Sequence, residues 1–395
     1  MPSLIKEKIS QAVGILREFD TDCWLTFTRE TAINGDPTLP FLVEGDLTWH
    51  SALIITKSGR TCAIVGQYDR KGVEDTGAWS EVIGFVEGIT RPLQDYLRNI
   101  NPARIAVNYS RESEICDGLT HGMYLSLCEM LSEIDMGERL IQADGIISAL
   151  RERKTRTELD RMKRAIAETE RIFSEVVPFI RPGRTEREIA HFMKDRANGR
   201  KIPFAWDERV CPAVFTGPDT AAAHYAPTDR KVEEGHILNM DFGLKVEGYC
   251  SDLQRTFYIT RTGERTAPPD VQRGFDTIIR AIEESRKAMR PGVTGESVDA
   301  VARQVITRSG YEEFPHGLGH QVGRFAHDGT ALLGPAWEKY AQKPFVPLEE
   351  GMVFTLEPRL TVPGHGIATV EEMVLLGGAG AEYLSTPQQS LILPR

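Results

Sequence analysis

The chain has 395 residues, 41% hydrophobic and 26% charged, which fits a globular protein and predicts two domains. Its formal net charge of −10 argues against a general binder of nucleic acid or anionic membranes. No apolar run approaches the roughly 18–20 residues of a membrane helix, and the opening MPSLIKEKISQ lacks the long apolar stretch of a secretory leader.

Ser3 is placed to cap a first helix with Ile5, Ile9, Val13 and Leu16 on one face. Strand-like runs follow at Cys23 to Phe27, Ser51 to Thr56 and Thr61 to Val65, the last two joined by KSGR as a hairpin. Arg104 to Tyr109 reads as a further buried strand and Leu125 to Ile134 as a helix. This mixed α/β region holds no cluster of catalytic residue types, so a structural or substrate-covering role is expected of it. The polar, basic stretch RERKTRT marks the boundary and predicts domains at 1–152 and 153–395.

Thr157 is read as the cap of a long helix whose stripe Leu159, Met162, Ile166, Thr169, Phe173 and Val176 faces a core. RPGRT at Arg181 to Thr185 recurs as RPGVT at Arg290 to Thr294. In each copy Pro and Gly stop one helix and a threonine caps the next, with Thr185 and Glu188 forming a capping box. Each copy is followed by a strand pair that carries carboxylates. One domain of two similar halves is expected.

In the first strand pair, ILNMDFGLKVEGYCSDLQRTFYI, alternation puts Asn239 and Asp241 on one face. With Val246 and Glu247 as central turn residues, Asp241 falls directly opposite Asp252; a shift of two leaves them diagonal on the same face. In the second pair, a turn centred on Gly364 sets Glu357 opposite Glu371. Opposed residues have Cβ atoms about 4.5–5.5 Å apart, where like charges are destabilising. A bound cation turns that repulsion into chelation.

The stretch FPHGLGHQVGRFAHD carries His316, His320 and His327. HGLGH has helical zinc-motif spacing, but Gly317 and Gly319 disfavour a helix and no glutamate follows His316 as HExxH requires. Four carboxylates with one histidine would balance two divalent cations. Such an oxygen-rich set suits Mn²⁺ or Co²⁺, with Zn²⁺ also compatible. Two adjacent metals can bridge a hydroxide and polarise a carbonyl, which predicts hydrolysis of an amide-like bond. The six cysteines are scattered without a CxxC pair, predicting a reduced, cytoplasmic protein whose metal ligands are not thiolates.

On these motifs the chain resembles the pita-bread metallohydrolases, closest to the prolidase and aminopeptidase P branch and related to creatinase and methionine aminopeptidase. The resemblance implies an α/β N-terminal domain followed by an α+β pita-bread catalytic domain with an internal pseudo-two-fold repeat. It places the metal ligands at Asp241 in NMDFG, Asp252 in YCSDLQRTF, His320 in HGLGHQVG, Glu357 in TLEPR and Glu371 in TVEEM. His224 in AAAHYAP, His316 and His327 match pocket histidines that are not ligands. The implied mechanism is attack by a metal-bridging hydroxide, with Glu357 accepting a proton and His327 and His224 steadying the carbonyl. The implied substrate is a small peptide with proline after the cleaved bond, and a homodimer is expected from the resemblance.

Three positions depart from the family pattern. Gln254 replaces a threonine, Arg324 an aliphatic residue, and Thr369 the arginine two residues before the last glutamate ligand. Arg359 stands where glycine is usual, and the second hairpin's register sets it opposite Thr369. The expectation is that the guanidinium has changed strands and still supports the same carboxylates. Two same-fold alternatives are a hydrolase of a small non-peptide amide, of the ectoine or creatine type, and a non-catalytic binding protein; the intact ligand set argues against the second.

Overall fold

The computed structural model describes residues 3–111, 113–220 and 226–394. It divides into two compact units, Met1–Arg151 and Glu152–Arg395.

In the first unit the elements run α1 (Leu4–Glu18), β1 (Cys23–Thr28), β2 (Ser51–Thr56), β3 (Thr61–Gly66), α2 (Arg70–Asp75), β4 (Glu81–Phe85), α3 (Thr90–Ile100), β5 (Ile105–Val107), α4 (His121–Ser132), β6 (Leu140–Gln142) and α5 (Asp144–Glu152). The strands form one mixed sheet in the order β4-β3-β2-β1-β5-β6. Strands β1, β2 and β3 are antiparallel neighbours, and β4, β5 and β6 add in parallel. The three central strands are buried along their whole length, as the β-branched runs predict. One face packs Trp24, Leu53 and Val65 against Ile5, Ile9 and Leu16 of α1. The other packs Leu25, Phe27, Ile54 and Ile64 against Leu93, Leu97, Leu127 and Leu131 of α3 and α4.

The second unit opens with α6 (Arg156–Val176) and α7 (Glu186–Gly199). Thr155, not Thr157, caps α6: its hydroxyl accepts the Glu158 N–H while the Glu158 carboxylate accepts the Thr155 N–H at 2.7 Å. Both Thr155 and Thr157 can cap, and the glutamate three residues on selects Thr155 through the reciprocal box. Strands β7 (Ala213–Thr216), β8 (Ile237–Phe242), β9 (Lys245–Val246), β10 (Tyr249–Cys250) and β11 (Leu253–Tyr258) follow, with β8 between β11 and β7. Helices α8 (Pro269–Ala288) and α9 (Gly295–Arg308) begin the second half. It continues with β12 (Gly319–His320), β13 (Leu332–Leu333), β14 (Val353–Leu356), β15 (Arg359–Val362), β16 (Gly366–Thr369), β17 (Glu372–Gly377) and β18 (Gly380–Tyr383). Two helices followed by an antiparallel hairpin thus occur twice. Thr185 and Thr294 cap α7 and α9 as expected.

The first hairpin turns one residue later than its expected centre. Val246 pairs with Tyr249, so Glu247 and Gly248 are the two loop residues, both at positive φ (48° and 82°). A type I′ turn requires positive φ at both positions, and Gly248 supplies the second without strain. The register therefore sets Asp241 opposite Gln254 and makes Asp252 its diagonal neighbour on the same face. The second hairpin keeps its expected register. Leu356 pairs with Glu372, and Arg359 with Thr369, across the interruption at Glu357 and Pro358.

Candidate metal centre

The two hairpins meet edge to edge. Glu371 leaves its own ladder and bridges to Gln254 of β11: the Glu371 N–H donates to the Gln254 carbonyl at 3.1 Å. That bridge, with the Ile237 N–H donating to the His365 carbonyl at 2.8 Å and the Asn239 side chain to the Ile367 carbonyl at 2.8 Å, carries the Glu357–Glu371 pair alongside the Asp241–Asp252 pair. Alternation does the rest. Along β14 and β15, Phe354, Leu356, Leu360 and Val362 join the helix core with Phe275, Ile278 and Ile306. Thr355, Glu357 and Arg359 consequently face the opposite side.

His320 enters from β12. Its N–H donates to the Thr355 hydroxyl at 3.1 Å, and the Glu357 N–H donates to the Leu318 carbonyl at 2.8 Å. A Cβ on Gly319 would stand 2.0 Å from the Thr355 carbonyl oxygen, so only glycine lets β12 lie this close to β14. The loop before β12 is clamped by α9. Arg303, in a buried ion pair with Asp299 at 2.5 Å, donates to the Phe314 carbonyl at 2.8 Å and the His316 carbonyl at 2.5 Å. Asp299 in turn accepts the Leu318 N–H at 2.9 Å.

His320 Nε2 lies 3.4 Å from Glu357 Oε1 and 3.8 Å from Asp252 Oδ2. Donor atoms of Asp252, His320 and Glu371 all lie within 4.8 Å of one another. Burial pushes Asp241 up to about 7, against a hydrogen bond from the Gln254 side chain that lowers it. Burial and the charge of Asp241 push Glu357 up to about 8, with the Thr355 hydroxyl opposing. Asp252 and Glu371 stand well above the usual carboxylate range, first by burial and then by repulsion from the other acids. Asp241 Oδ1 is buried without a hydrogen-bond partner. Clustered, desolvated carboxylates with one oxygen left unsatisfied are costly in isolation and well matched to divalent cations. Oxygen donors with one imidazole fit the hard and borderline ions.

His327 is exposed, its ring centroid 4.1 Å from that of His320 in a T-shaped contact. His316 is half-buried, with Nδ1 2.8 Å from the Gly317 carbonyl oxygen. His224 lies outside the described residues.

Arg359 does not support the carboxylates. It faces Thr369 as expected, but no ion pair or hydrogen bond joins its guanidinium to any of the four acids, and burial alone shifts its pKa, downward. Its backbone sits two residues, roughly 7 Å, farther along the strand than Glu357. Thr369 is held by Thr256, whose hydroxyl takes the Thr369 N–H at 3.2 Å. The supporting arginine is Arg255, which the sequence reading missed. From the apolar face of β11 it donates to the Glu371 carbonyl at 3.0 Å and pairs with buried Glu372 at 3.1 Å. The available signal was an arginine and a glutamate, each next to a site residue within an apolar strand. Arg324 likewise serves elsewhere, with its guanidinium over the Tyr249 ring.

Residues 160–377 match the family model described as metallopeptidase family M24. The chain belongs to this family. A probable dipeptidase PepE of Mycobacterium tuberculosis is 32% identical over 262 residues, 66% of this chain and 65% of that protein. The matched part thus spans just under two thirds of that relative's length. A Xaa-Pro dipeptidase of Pyrococcus furiosus is 28% identical over 281 residues, 70% of this chain and 75% of that protein. The crystal structure of an X-Pro aminopeptidase from Thermotoga maritima aligns with a TM-score of 0.73 and 26% identity, over 96% of this chain and 99% of that one. The fold is the M24 pita-bread fold preceded by an N-terminal domain.

Proposed function

We propose that this protein is a metal-dependent exopeptidase that hydrolyses the bond before proline in Xaa-Pro dipeptides or peptides beginning Xaa-Pro. The observation that carries the reading is the convergence of two carboxylate-bearing hairpins on His320. In this reading Asp241, Asp252, His320, Glu357 and Glu371 hold two divalent cations, Mn²⁺ or Co²⁺ in first place and Zn²⁺ next. Bound there, the cations would lower the pKa of a water molecule and polarise the scissile carbonyl. Glu357 is assigned to accept a proton during the reaction. His327, whose ring contacts that of His320, is assigned to donate to the carbonyl oxygen. His316 and His224 are assigned to the pocket wall. Family membership and the names of the relatives support the substrate class.

The reading extends to a cytoplasmic homodimer. None of the chain's six cysteines is in a disulfide, and no helix among the described residues is long and apolar enough to cross a membrane. Light scattering on the purified protein measures the oligomeric state. The function is tested by proline release from Xaa-Pro dipeptides and Xaa-Pro-Yaa tripeptides, with metal-free and metal-restored protein. Metal-dependent release is expected. Failure to cleave any of them, with hydrolysis of a small cyclic amide instead, would move the reading to the non-peptide branch.

A further inference from the structure

Arg359 is an anomaly in its surroundings. It sits half-buried, one strand step past Glu357, on the same face of the hairpin as Thr355 and Glu357. No described residue pairs with its guanidinium, although most arginines of this unit are paired or stacked. The opposing residue is Thr369, a short side chain that offers no charge. A half-buried cation without a partner loses hydration and recovers nothing from the protein. Its partner is therefore to be sought among ligands, and the ligand group that matches a planar fork of donors is a carboxylate.

The position suits one particular carboxylate. In a dipeptide, the terminal carboxylate lies one residue beyond the cleaved bond, a step of about 4 Å. A charge-assisted hydrogen bond adds about 3 Å. Together these match the roughly 7 Å of strand between Glu357 and Arg359. Two divalent cations would balance the four acids, so a further negative charge brought into the site needs a cation of its own. A longer peptide presents a neutral amide at this place and gains little from a guanidinium.

We propose that Arg359 anchors the free carboxylate of the substrate's leaving residue, making the site selective for dipeptides over longer peptides. This rests on the Xaa-Pro reading above. The test compares an Xaa-Pro dipeptide, its C-terminal amide and an Xaa-Pro-Gly tripeptide on wild type, Arg359→Gln and Arg359→Lys. Wild type should show a KM for the dipeptide about 30- to 100-fold below that for the amide, the size expected of a charged hydrogen bond. Arg359→Gln should lose that preference through KM, Arg359→Lys should restore part of it, and metal content should match wild type in both. Equal use of dipeptide and amide by wild type, or an unchanged preference in Arg359→Gln, would overturn the anchor and leave the Xaa-Pro reading standing. If no Xaa-Pro peptide is cleaved, that reading falls and calorimetric titration of metal-loaded protein with L-proline and L-prolinamide decides the anchor. Proline binding that Arg359→Gln abolishes, with weak prolinamide binding, supports it. Equal binding of the two, or no proline binding, sinks it.

Discussion

Stripping the metal should make this protein unusually sensitive to alkaline pH. In the metal-free fold, burial raises Asp241 to about 7 and Glu357 to about 8, whereas both carboxyls titrate near 4 in the unfolded chain. Between pH 6 and 8 the unfolded state has no proton left to lose at these positions, and the folded state must give up both. Stability is therefore present at low pH and lost as pH rises through 7 to 8. Over that interval the Asp241 shift costs about 1 kcal/mol and the Glu357 shift about 2 kcal/mol, so about 3–4 kcal/mol together. For a unit of this size that corresponds to a Tm lower by about 7–15 °C. Cation binding requires the deprotonated acids, so saturating Mn²⁺ should flatten the dependence and raise Tm more at pH 8 than at pH 6. Scanning calorimetry of chelated and Mn²⁺-loaded protein at several pH values measures this. A metal-free Tm that stays level or climbs from pH 6 to 8 would refute the claim that these carboxyls are buried together.

Other expectations concern single side chains. His320→Ala should reduce bound metal as measured by elemental analysis. His327→Ala should leave metal in place and lower turnover, and metal loss there would mean that the two roles are wrongly divided. Gly319→Ala would force a Cβ against the Thr355 carbonyl, costing about 3 kcal/mol in urea unfolding and lowering metal content with it. Arg303→Met leaves Asp299 charged and buried and frees the loop at His316, so a loss of about 3–5 kcal/mol is expected. Retention of wild-type stability in that variant would show the clamp to be dispensable.

Local signals in the chain were read well where the physics is local. The cap at Thr185 needs only the glutamate three residues on, and the cap at Thr294 only its own hydroxyl. Strands β1 to β3 declare themselves by unbroken apolar runs. The second hairpin's register follows from the turn around Gly364. Errors arose where two local solutions compete. Thr155 and Thr157 both offer a hydroxyl, and only the reciprocal bond from Glu158 separates them. KVEG admits two turn centres, and the positive φ at Glu247 and Gly248 selects the later one. That shift turns a directly opposed aspartate pair into a diagonal one and gives Gln254 the place beside Asp241.

By itself the sequence determined which residues could serve. Facing acids within apolar strands make sense only with a cation, and the spacing around His320 excludes a helical zinc motif. Tertiary structure decided what those residues meet. The Gln254–Glu371 bridge joins positions more than a hundred residues apart, and no periodicity encodes it. The same holds for Arg255 beneath Glu371 and for the Asp299–Arg303 clamp behind His316. Arg359 shows the difference most plainly. The hairpin register predicted its partner strand, but only the folded side chain shows that no ion pair or hydrogen bond joins its charge to the acids. Electrostatic support acts through distance, and distance is set only when the chain has folded.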